Sequence, residues 1–458
     1  MRIRSNLPDK FFEEGFNDRT DPFNHKDLAE RLTHLFQNLS HGTVSILDGR
    51  WGTGKSVFSK QWVHHLKTAG IPAIYFDAFA VDYIDDPFQA VSSAFIKAAT
   101  DARRTDSPVY KRFLTNAAKA SKALATTAAK IGTKIVTLGV IGASEIDQLS
   151  ELRDELSSSF SDLSEEAVKA MLEAQAGSEA TFNELKKSLA ELPKLLAPGQ
   201  ESPEGGENAK PLLVIIDELD RCRPDFALGV LESLKHFFRA EGVHFVLVTN
   251  REHLRLSVQK RYGVGEAAQE YLQKFYDFII HFESSFQQHR GPNAAVLAQR
   301  QLDDILPDHV NGVERHELGE LIKNIAIAFN LTLRQVEGIV TNVALAYLAV
   351  REREFRPRAL ICFLALLKAL RPDIYQKIKI QRFDYDEFRS YIASSVWPDN
   401  FNVDRVLDMF RYYGDVSLDP NDPEFSQYSS GLFQFGFGDR LDVLPHLANS
   451  VMDRFGKA

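Results

Sequence analysis

The sequence predicts an α/β protein whose parallel sheet comes in two pieces, separated by a long helical insertion and followed by a helical C-terminal region. Three observations carry this expectation. The apolar runs Leu212–Ile216 and His244–Val248 flank a helix-period segment, Phe226–Phe238, and strand, helix, strand in that order is what a parallel sheet with crossover connections requires. An earlier β-branched run, Val44-Ser45-Ile46-Leu47, stops at Asp48-Gly49 and is followed by a second helical segment, Val57–Leu66. Between the two pieces, Ser92 to Leu196 is rich in Ala, Ser, Lys and Glu with hardly any proline, the composition of long helices.

In chain order, the first thirty or so residues are polar and turn-forming, with Asn17-Asp18 and Asp21-Pro22. A helix follows from Asp27 to Leu39, with Leu28, Leu32, Leu35 and Leu39 on one face. Ile71–Phe79 is a second strand after Val44–Leu47. In the insertion, Leu149, Leu152, Leu156 and Leu163 share a helix face, as in a helical hairpin, a short coiled coil or an ordinary packing helix. Ala197–Lys210, rich in Gly, Pro, Glu and Ser, is a linker or exposed loop. Leu212–Ile216 has no polar alternation, so it belongs at the centre of the sheet, covered on both faces. From Tyr271 onward the chain is predicted mainly helical, with Leu321–Phe329, Arg334–Val350 and Arg358–Leu370 as periodic segments. The aromatic last eighty or so residues give no assignable pattern.

Composition narrows the functional classes. The chain has 458 residues, 54 Lys+Arg against 63 Asp+Glu and a formal net charge of −9. With 33 Phe and 13 Tyr it is not a chain that stays solvated and disordered. An acidic balance disfavours duplex nucleic acid as a default partner, because Lys and Arg on phosphates supply most non-specific affinity. Only Cys222 and Cys362 are present, which excludes a disulfide framework and a four-cysteine zinc site and points to a reducing, cytoplasmic setting. Met1–Lys10 has no apolar run of signal-peptide length, so secretion is not expected. The most apolar stretch of the insertion, Ile131–Ala143, contains Lys134 and falls short of the roughly 20 residues a spanning helix needs. No membrane span is expected, with peripheral contact left open.

Gly49-Arg50-Trp51-Gly52-Thr53-Gly54-Lys55-Ser56 fits G-x-x-x-x-G-K-[ST] at every fixed position, between a predicted strand and a predicted helix. Glycines let the backbone turn its N–H groups onto phosphate oxygens, the lysine reaches the β- and γ-phosphates, and the serine hydroxyl ligates Mg²⁺. The following helix, which begins near Val57, adds its positive end. The expected nucleotide-binding residues are therefore Gly49, Arg50, Trp51, Gly52, Thr53, Gly54, Lys55, Ser56 and Val57. The strand Leu212–Ile216 ends at Asp217-Glu218-Leu219-Asp220, where a Walker B motif belongs. Asp217 and Ser56 are the expected metal ligands, and Glu218 is the expected base that takes a proton from the attacking water. Asp220, Arg221 and Arg223 are placed to reach phosphate, a neighbouring subunit or the end of the next helix. Thr249-Asn250-Arg251-Glu252 does not fit the Asn-Lys-x-Asp guanine reader, which favours ATP. Asn250 either senses the γ-phosphate or caps the helix that starts at Arg251.

With these motifs in this order, the sequence resembles the KAP family of P-loop NTPases. The resemblance rests on Asp21-Pro22-Phe23, the tryptophan inside the Gly49–Ser56 loop, Phe76-Asp77-Ala78-Phe79, Asp217-Glu218-Leu219-Asp220-Arg221-Cys222, Tyr271-Leu272-Gln273-Lys274-Phe275 and Leu331-Thr332-Leu333-Arg334, and covers about residues 20 to 370. It implies a STAND-like ATPase with a helical lid, on which Arg334 is the residue to approach the γ-phosphate. Many members carry transmembrane helices between the Walker motifs, where this chain has its Ser92–Leu196 insertion, and bacterial members include phage-exclusion proteins. Glu218 stands where the family has a second aspartate, and Thr249-Asn250 where members tend to have an aspartate.

The expected organisation is a P-loop NTPase core in two parts, 1–91 and 211–284, around an insertion and linker at 92–210, with a lid and partner-binding region at 285–458. The expected function is Mg²⁺-dependent ATP binding and hydrolysis, with Glu218, Lys55, Asn250 and Arg334 as catalytic residues and nucleotide state controlling homo-oligomeric assembly or a protein partner. Two alternatives are a nucleotide-gated scaffold with slow hydrolysis and an initiator-type DNA ATPase.

Overall fold

The computed structural model describes residues 9–17, 20–21, 23–131, 165–197, 210–262, 267–282, 290–306, 310–349, 356–429 and 437–453. The leucines expected to share a helix face, Leu149, Leu152, Leu156 and Leu163, lie outside these residues, as do Pro22 and most of the Ala197–Lys210 linker. The chain divides into two compact units. Among the described residues, one, the sheet unit, falls within Asp9–Gly49 and Lys55–Phe282; the other, the helical unit, falls within Glu283–Ala458 together with the five loop residues Arg50–Gly54.

The sheet unit is an α/β fold around five parallel strands: β1 (Val44–Asp48), β2 (Ala73–Asp77), β3 (Leu212–Asp217), β4 (Val243–Thr249) and β5 (Phe278–His281), in the spatial order β2-β3-β4-β1-β5. Side chains alternate across the strands and build two cores. Ile46, Ile74, Phe76, Val214, Ile216, Phe245 and Leu247 face one side. Leu47, Ala73, Leu213, Ile215, Val246 and Val248 face the other. Because both faces are covered, every residue of β3 and β4 is buried, which explains the unbroken apolar runs in the sequence.

Helices α1 (Asp9–Glu13), α2 (Lys26–Gln37) and α3 (Lys55–Thr68) belong to this unit; Trp62 of α3 is fully buried, stacks on Phe58 and donates its ring N–H to Thr33 Oγ1 of α2 at 3.0 Å. The insertion between β2 and β3 contains α4 (Pro87–Asp101), α5 (Pro108–Ile131) and α6 (Glu165–Leu196). Asp86 starts α4 by accepting the Phe88 and Gln89 N–H groups ahead of Pro87, whose missing N–H costs nothing at a helix start. Phe95, Phe113, Leu185, Leu189 and Leu192 carry the insertion into the core on one sheet face, so its base is part of the sheet unit. Among the described residues, no helix is long and apolar enough to cross a membrane.

Three local elements depart from the sequence-based expectation. The Ile71–Phe79 run is a strand only over Ala73–Asp77, because the Asp77 carboxylate accepts the Ala80 N–H at 3.0 Å and turns the chain into a 3₁₀ segment at Phe79–Val81. The Phe226–Phe238 segment is α7 (Pro224–Ser233) and then widens into a π turn at Leu234–Phe238. Strand β5 lies in a region expected to be helical; its four residues are too few for a period-2 pattern to stand out. Helices α8 (Arg251–Tyr262) and α9 (Ala268–Gln273) complete the unit.

The helical unit has its own core, centred on α13 (Arg358–Leu370), in which every residue from Leu360 to Leu367 is fully buried. Around it stand α10 (Arg290–Ile305), α11 (Gly312–Ala328), α12 (Leu333–Ala349), α14 (Pro372–Lys379), α15 (Tyr385–Ala393), α16 (Val403–Gly414), α17 (Ser426–Ser429) and α18 (Val443–His446). The aromatic tail is thus ordered packing: Phe388 stacks on Phe410 at 4.3 Å, and the buried Arg440 guanidinium donates to the Tyr412, Asp415 and Leu418 carbonyls. Asp453 ties the last turn to this core through Lys379 at 2.5 Å, Lys368 at 3.1 Å and the Tyr375 hydroxyl at 2.9 Å. Burial alone would raise the Asp453 carboxyl; the hydrogen bonds from Lys379, Tyr375 and Lys368 outweigh it and hold the group below the usual carboxylate range. Its contribution to stability is therefore complete above its unfolded-state value of about 3.9 and is lost as pH falls through the lower folded-state value. Denaturant midpoints taken from about pH 6 down to about pH 3 are expected to fall less steeply for Asp453→Asn than for the wild type.

Candidate functional site

At the C-terminal edge of the sheet, β3 delivers Asp217 and Glu218, β2 delivers Tyr75 and Asp77, and the first turn of α3 delivers Lys55 and Ser56. Asp77 and Asp217 are register partners, and the Ala78 N–H donates to the Asp217 carbonyl at 3.0 Å, which fixes the two strand ends side by side.

Asp217 is 2% exposed. Its Oδ1 accepts the Glu218 N–H at 2.8 Å and its Oδ2 accepts the Tyr75 hydroxyl at 2.7 Å; the Ser56 hydroxyl hydrogen-bonds to the same carboxylate. Burial raises the carboxyl above its ordinary range, with the charge of Asp77 adding to it, while the Tyr75, Ser56 and Glu218 hydrogen bonds oppose it. The two residues expected to ligate a metal therefore lie near each other. Two hard oxygen donors suit Mg²⁺, which dehydrates reluctantly and is held by one or two protein groups beside the substrate's phosphates. Among the described residues no group of three or more His, Cys, Asp or Glu could hold a metal by protein ligands alone.

Glu218 has a left-handed backbone, φ 60 and ψ 25, uncommon for a residue with a Cβ. Its N–H is held by Asp217, and its carbonyl accepts the Arg221 N–H at 3.1 Å and the Cys222 thiol at 3.6 Å. Its carboxylate pairs with the Arg221 guanidinium at 3.1 Å. Burial raises the Glu218 carboxyl first of all, Arg221 opposes, and Asp217, Asp77 and Asp220 push it further up. A glutamate held above its ordinary range at a strand end beside a buried aspartate has the character of a general base.

Lys55 is buried, and its ammonium donates to the Gly49 carbonyl. Gly49 itself donates its N–H to the Thr249 carbonyl at 3.3 Å. Since β4 lies between β1 and β3, its end emerges between the lysine-bearing loop and the acidic strand end. The Asn250 N–H donates to Asp220 Oδ2 at 2.9 Å, while Asn250 Oδ1 accepts the Glu252 N–H at 3.1 Å and so caps α8. Asp48, at the end of β1, accepts the Arg251 N–H at 2.9 Å. Two carboxylates thus pin the β4–α8 junction, a role of Asp48 and Asp220 that spacing alone did not reveal. Asp220→Ala is expected to speed amide hydrogen exchange at Asn250 roughly tenfold or more, since a hydrogen bond to a charged acceptor contributes about 1.5–3 kcal/mol; unchanged exchange would show that the junction does not depend on it. Arg223 is engaged by the β2–α4 loop, its backbone N–H donating to Asp82 Oδ2 at 3.1 Å and its Nε to the Asp82 carbonyl at 3.0 Å.

The loop tip Arg50–Gly54 groups with the helical unit. The Gly52 carbonyl accepts the Arg334 N–H at 3.2 Å, and Arg50 donates to the Asn330 carbonyl at 3.4 Å. Thr332 and Gln335 form a reciprocal cap at the start of α12: Gln335 Oε1 accepts the Thr332 N–H at 2.8 Å, and Thr332 Oγ1 accepts the Gln335 N–H at 3.4 Å. Gly52 is required here twice over, with φ at 79° and a Cβ that would fall 2.4 Å from the Arg334 Cβ. Trp51 stays partly exposed, and Thr53 Oγ1 closes the turn onto the Arg50 carbonyl at 2.9 Å. Val57 follows Ser56 in the first turn of α3.

A parallel sheet with a G-x-x-x-x-G-K-S loop leading from β1 into α3, and a buried aspartate at the end of a strand one position beyond its neighbour, defines a nucleotide-binding P-loop NTPase domain. The chain belongs to the KAP family: the model for the KAP family P-loop domain matches residues 25–349. A comparison with curated proteins finds no match. Among solved structures, the chain is similar to the Aeropyrum pernix ORC2 protein in its ADPNP–ADP complexes, at 13% identity over 94% of each chain, with a TM-score of 0.35; a likeness of that size carries no argument here.

Proposed function

We propose that the protein is a Mg²⁺-dependent ATPase in which Asp217 and Ser56 hold the metal, Lys55 and the Gly49–Val57 loop hold the phosphates, and Glu218 activates water. The observation that supports this most is the buried Asp217 carboxylate at the end of β3, with Glu218 as the next residue, on the same sheet as the β1 strand that leads into the Gly49–Ser56 loop. Mg²⁺, if held there by Asp217 and Ser56, would supply positive charge against the phosphates and the charge that develops on them. The work of the chain is to position and to move one proton. Asp217 and Ser56 orient the phosphate-bearing substrate, the Lys55 ammonium exchanges the Gly49 carbonyl for phosphate oxygen, and the Glu218 carboxylate, released from Arg221, accepts a proton from water. The Asn250 side-chain N–H₂, rather than the Oδ1 that caps α8, is the candidate sensor of the γ-phosphate. Arg334, whose backbone is tied to Gly52, is the candidate through which nucleotide state reaches the helical unit and so an assembly or a protein partner. ATP is favoured over GTP because Thr249-Asn250-Arg251-Glu252 lacks the guanine-reading Asn-Lys-x-Asp pattern.

The test is phosphate release from ATP and GTP with and without Mg²⁺, together with the solution mass with and without a non-hydrolysable ATP analogue. Turnover of ATP that EDTA abolishes is the expected result. Absence of nucleotide-stimulated phosphate release under every condition would overturn the ATPase reading, and an unchanged mass would remove assembly as its output.

A further inference from the structure

The Asp217 carboxylate is held at both oxygens, and one of its holders is a side chain that the hydrolytic chemistry does not call for. Oδ1 is fixed by a backbone N–H of its own turn, whereas Oδ2 is fixed by the hydroxyl of Tyr75, a residue of the neighbouring strand. Tyr75 is itself braced: the Lys60 ammonium lies over its ring at 5.3 Å from the centroid, and also over Phe12 of α1 at 5.0 Å. Lys60 stands one turn beyond Ser56 on α3, so a single helix carries both the hydroxyl that meets Asp217 and the cation that seats the tyrosine. The chain of contacts Ser56–Asp217–Tyr75–Lys60 closes on itself through α3. Burial, and then the charge of Asp217, raise the Tyr75 hydroxyl well above its ordinary value, so it stays a neutral donor throughout the working pH range.

We infer that Tyr75 is a positioning residue that sets the plane of the Asp217 carboxylate for the cation accompanying the nucleotide, and that Lys60 couples that setting to the helix bearing Ser56. With a donor on each oxygen, rotation of the carboxylate would break one of the two hydrogen bonds, so its plane is set from both sides. An acidic strand end beside Asp77 would otherwise be free to turn away from the shared charge. The inference rests on the proposed Mg²⁺-nucleotide reading of the site. Removing a group that orients a metal ligand typically costs 10–100-fold in metal affinity.

The experiment is binding of a fluorescent ATP analogue as Mg²⁺ is titrated, and again in EDTA, for the wild type, Tyr75→Phe and Lys60→Met. For Tyr75→Phe the Mg²⁺ concentration at half-saturation is expected to rise about tenfold, with Mg²⁺-free analogue binding and the thermal midpoint close to wild type. Lys60→Met, which leaves the hydroxyl in place, is expected to shift half-saturation in the same direction by less, and it keeps the question answerable should Tyr75→Phe fold poorly. An unchanged Mg²⁺ half-saturation in both variants, or an equal loss with and without Mg²⁺, would overturn the positioning role while leaving the nucleotide site standing. Wild-type binding that is indifferent to Mg²⁺ would overturn the site reading and this inference with it.

Discussion

Lys55→Ala is expected to weaken MgATP binding roughly 100-fold or more, because a charge-assisted hydrogen bond contributes about 1.5–3 kcal/mol and this ammonium would serve two phosphates. The cause lies in its burial. Lys55 is held among the loop's own groups with its ammonium on the Gly49 carbonyl, so phosphate oxygens entering the loop replace one polar partner by a stronger, negatively charged one. Alanine removes the cation and leaves the Gly49 carbonyl without this donor, which predicts a slightly lower thermal midpoint alongside the lost affinity. Calorimetric titration with a non-hydrolysable analogue measures the first and scanning calorimetry the second. Wild-type affinity in a folded Lys55→Ala protein would remove the loop from the nucleotide site.

Glu218→Gln is expected to leave MgATP affinity within about threefold of wild type while lowering kcat by 10²- to 10⁴-fold, the usual range for loss of a positioned general base. Glutamine keeps the length of the side chain and can accept the Arg221 hydrogen bond, so the left-handed turn at φ 60, secured by backbone and thiol donors, should persist. What disappears is a proton acceptor. Burial and the neighbouring carboxylates hold the Glu218 carboxyl above its ordinary range, so the acid limb of the wild-type pH–kcat profile should lie higher than that of a solvent-exposed glutamate. Rapid-quench turnover across pH, paired with equilibrium binding, separates the two effects. Equal loss of binding and turnover in Glu218→Gln would show that the residue holds the turn rather than the water.

Much of the site was legible in the sequence because its signals are local. The Gly49–Ser56 loop and the Leu212–Asp217 strand each occupy a few consecutive residues, and β1 and β3 were visible as apolar runs that end at an acid. The contributions of Tyr75, Asp48 and Asp220 were hidden because they arise across strands: Tyr75 meets a residue 142 positions away, and Asp48 one 203 positions away. The one sequence signal for Tyr75 was its place in an otherwise apolar strand, where a hydroxyl needs a partner. The aromatic C-terminal region resisted assignment for a related reason. Its order rests on tertiary devices such as the Arg440 guanidinium gathering three carbonyls, which leave no periodic trace.

The split sheet also imposes a schedule on synthesis. Val44 of β1 pairs with Phe245 of β4, and β2 pairs with β3 across the whole insertion. On a ribosome adding about 5–20 residues per second, the first strand therefore waits roughly 10 to 40 seconds for its neighbour. During that interval α3 has no complete sheet to lean on, and the exposed apolar faces of β1 and β2 are open to mispairing. Trigger-factor-like holding, or early collapse of the inserted helices onto β2, would shorten the exposure. Slower translation through the insertion would lengthen it, so the cellular yield of this protein should respond to codon choice between the two halves of its sheet.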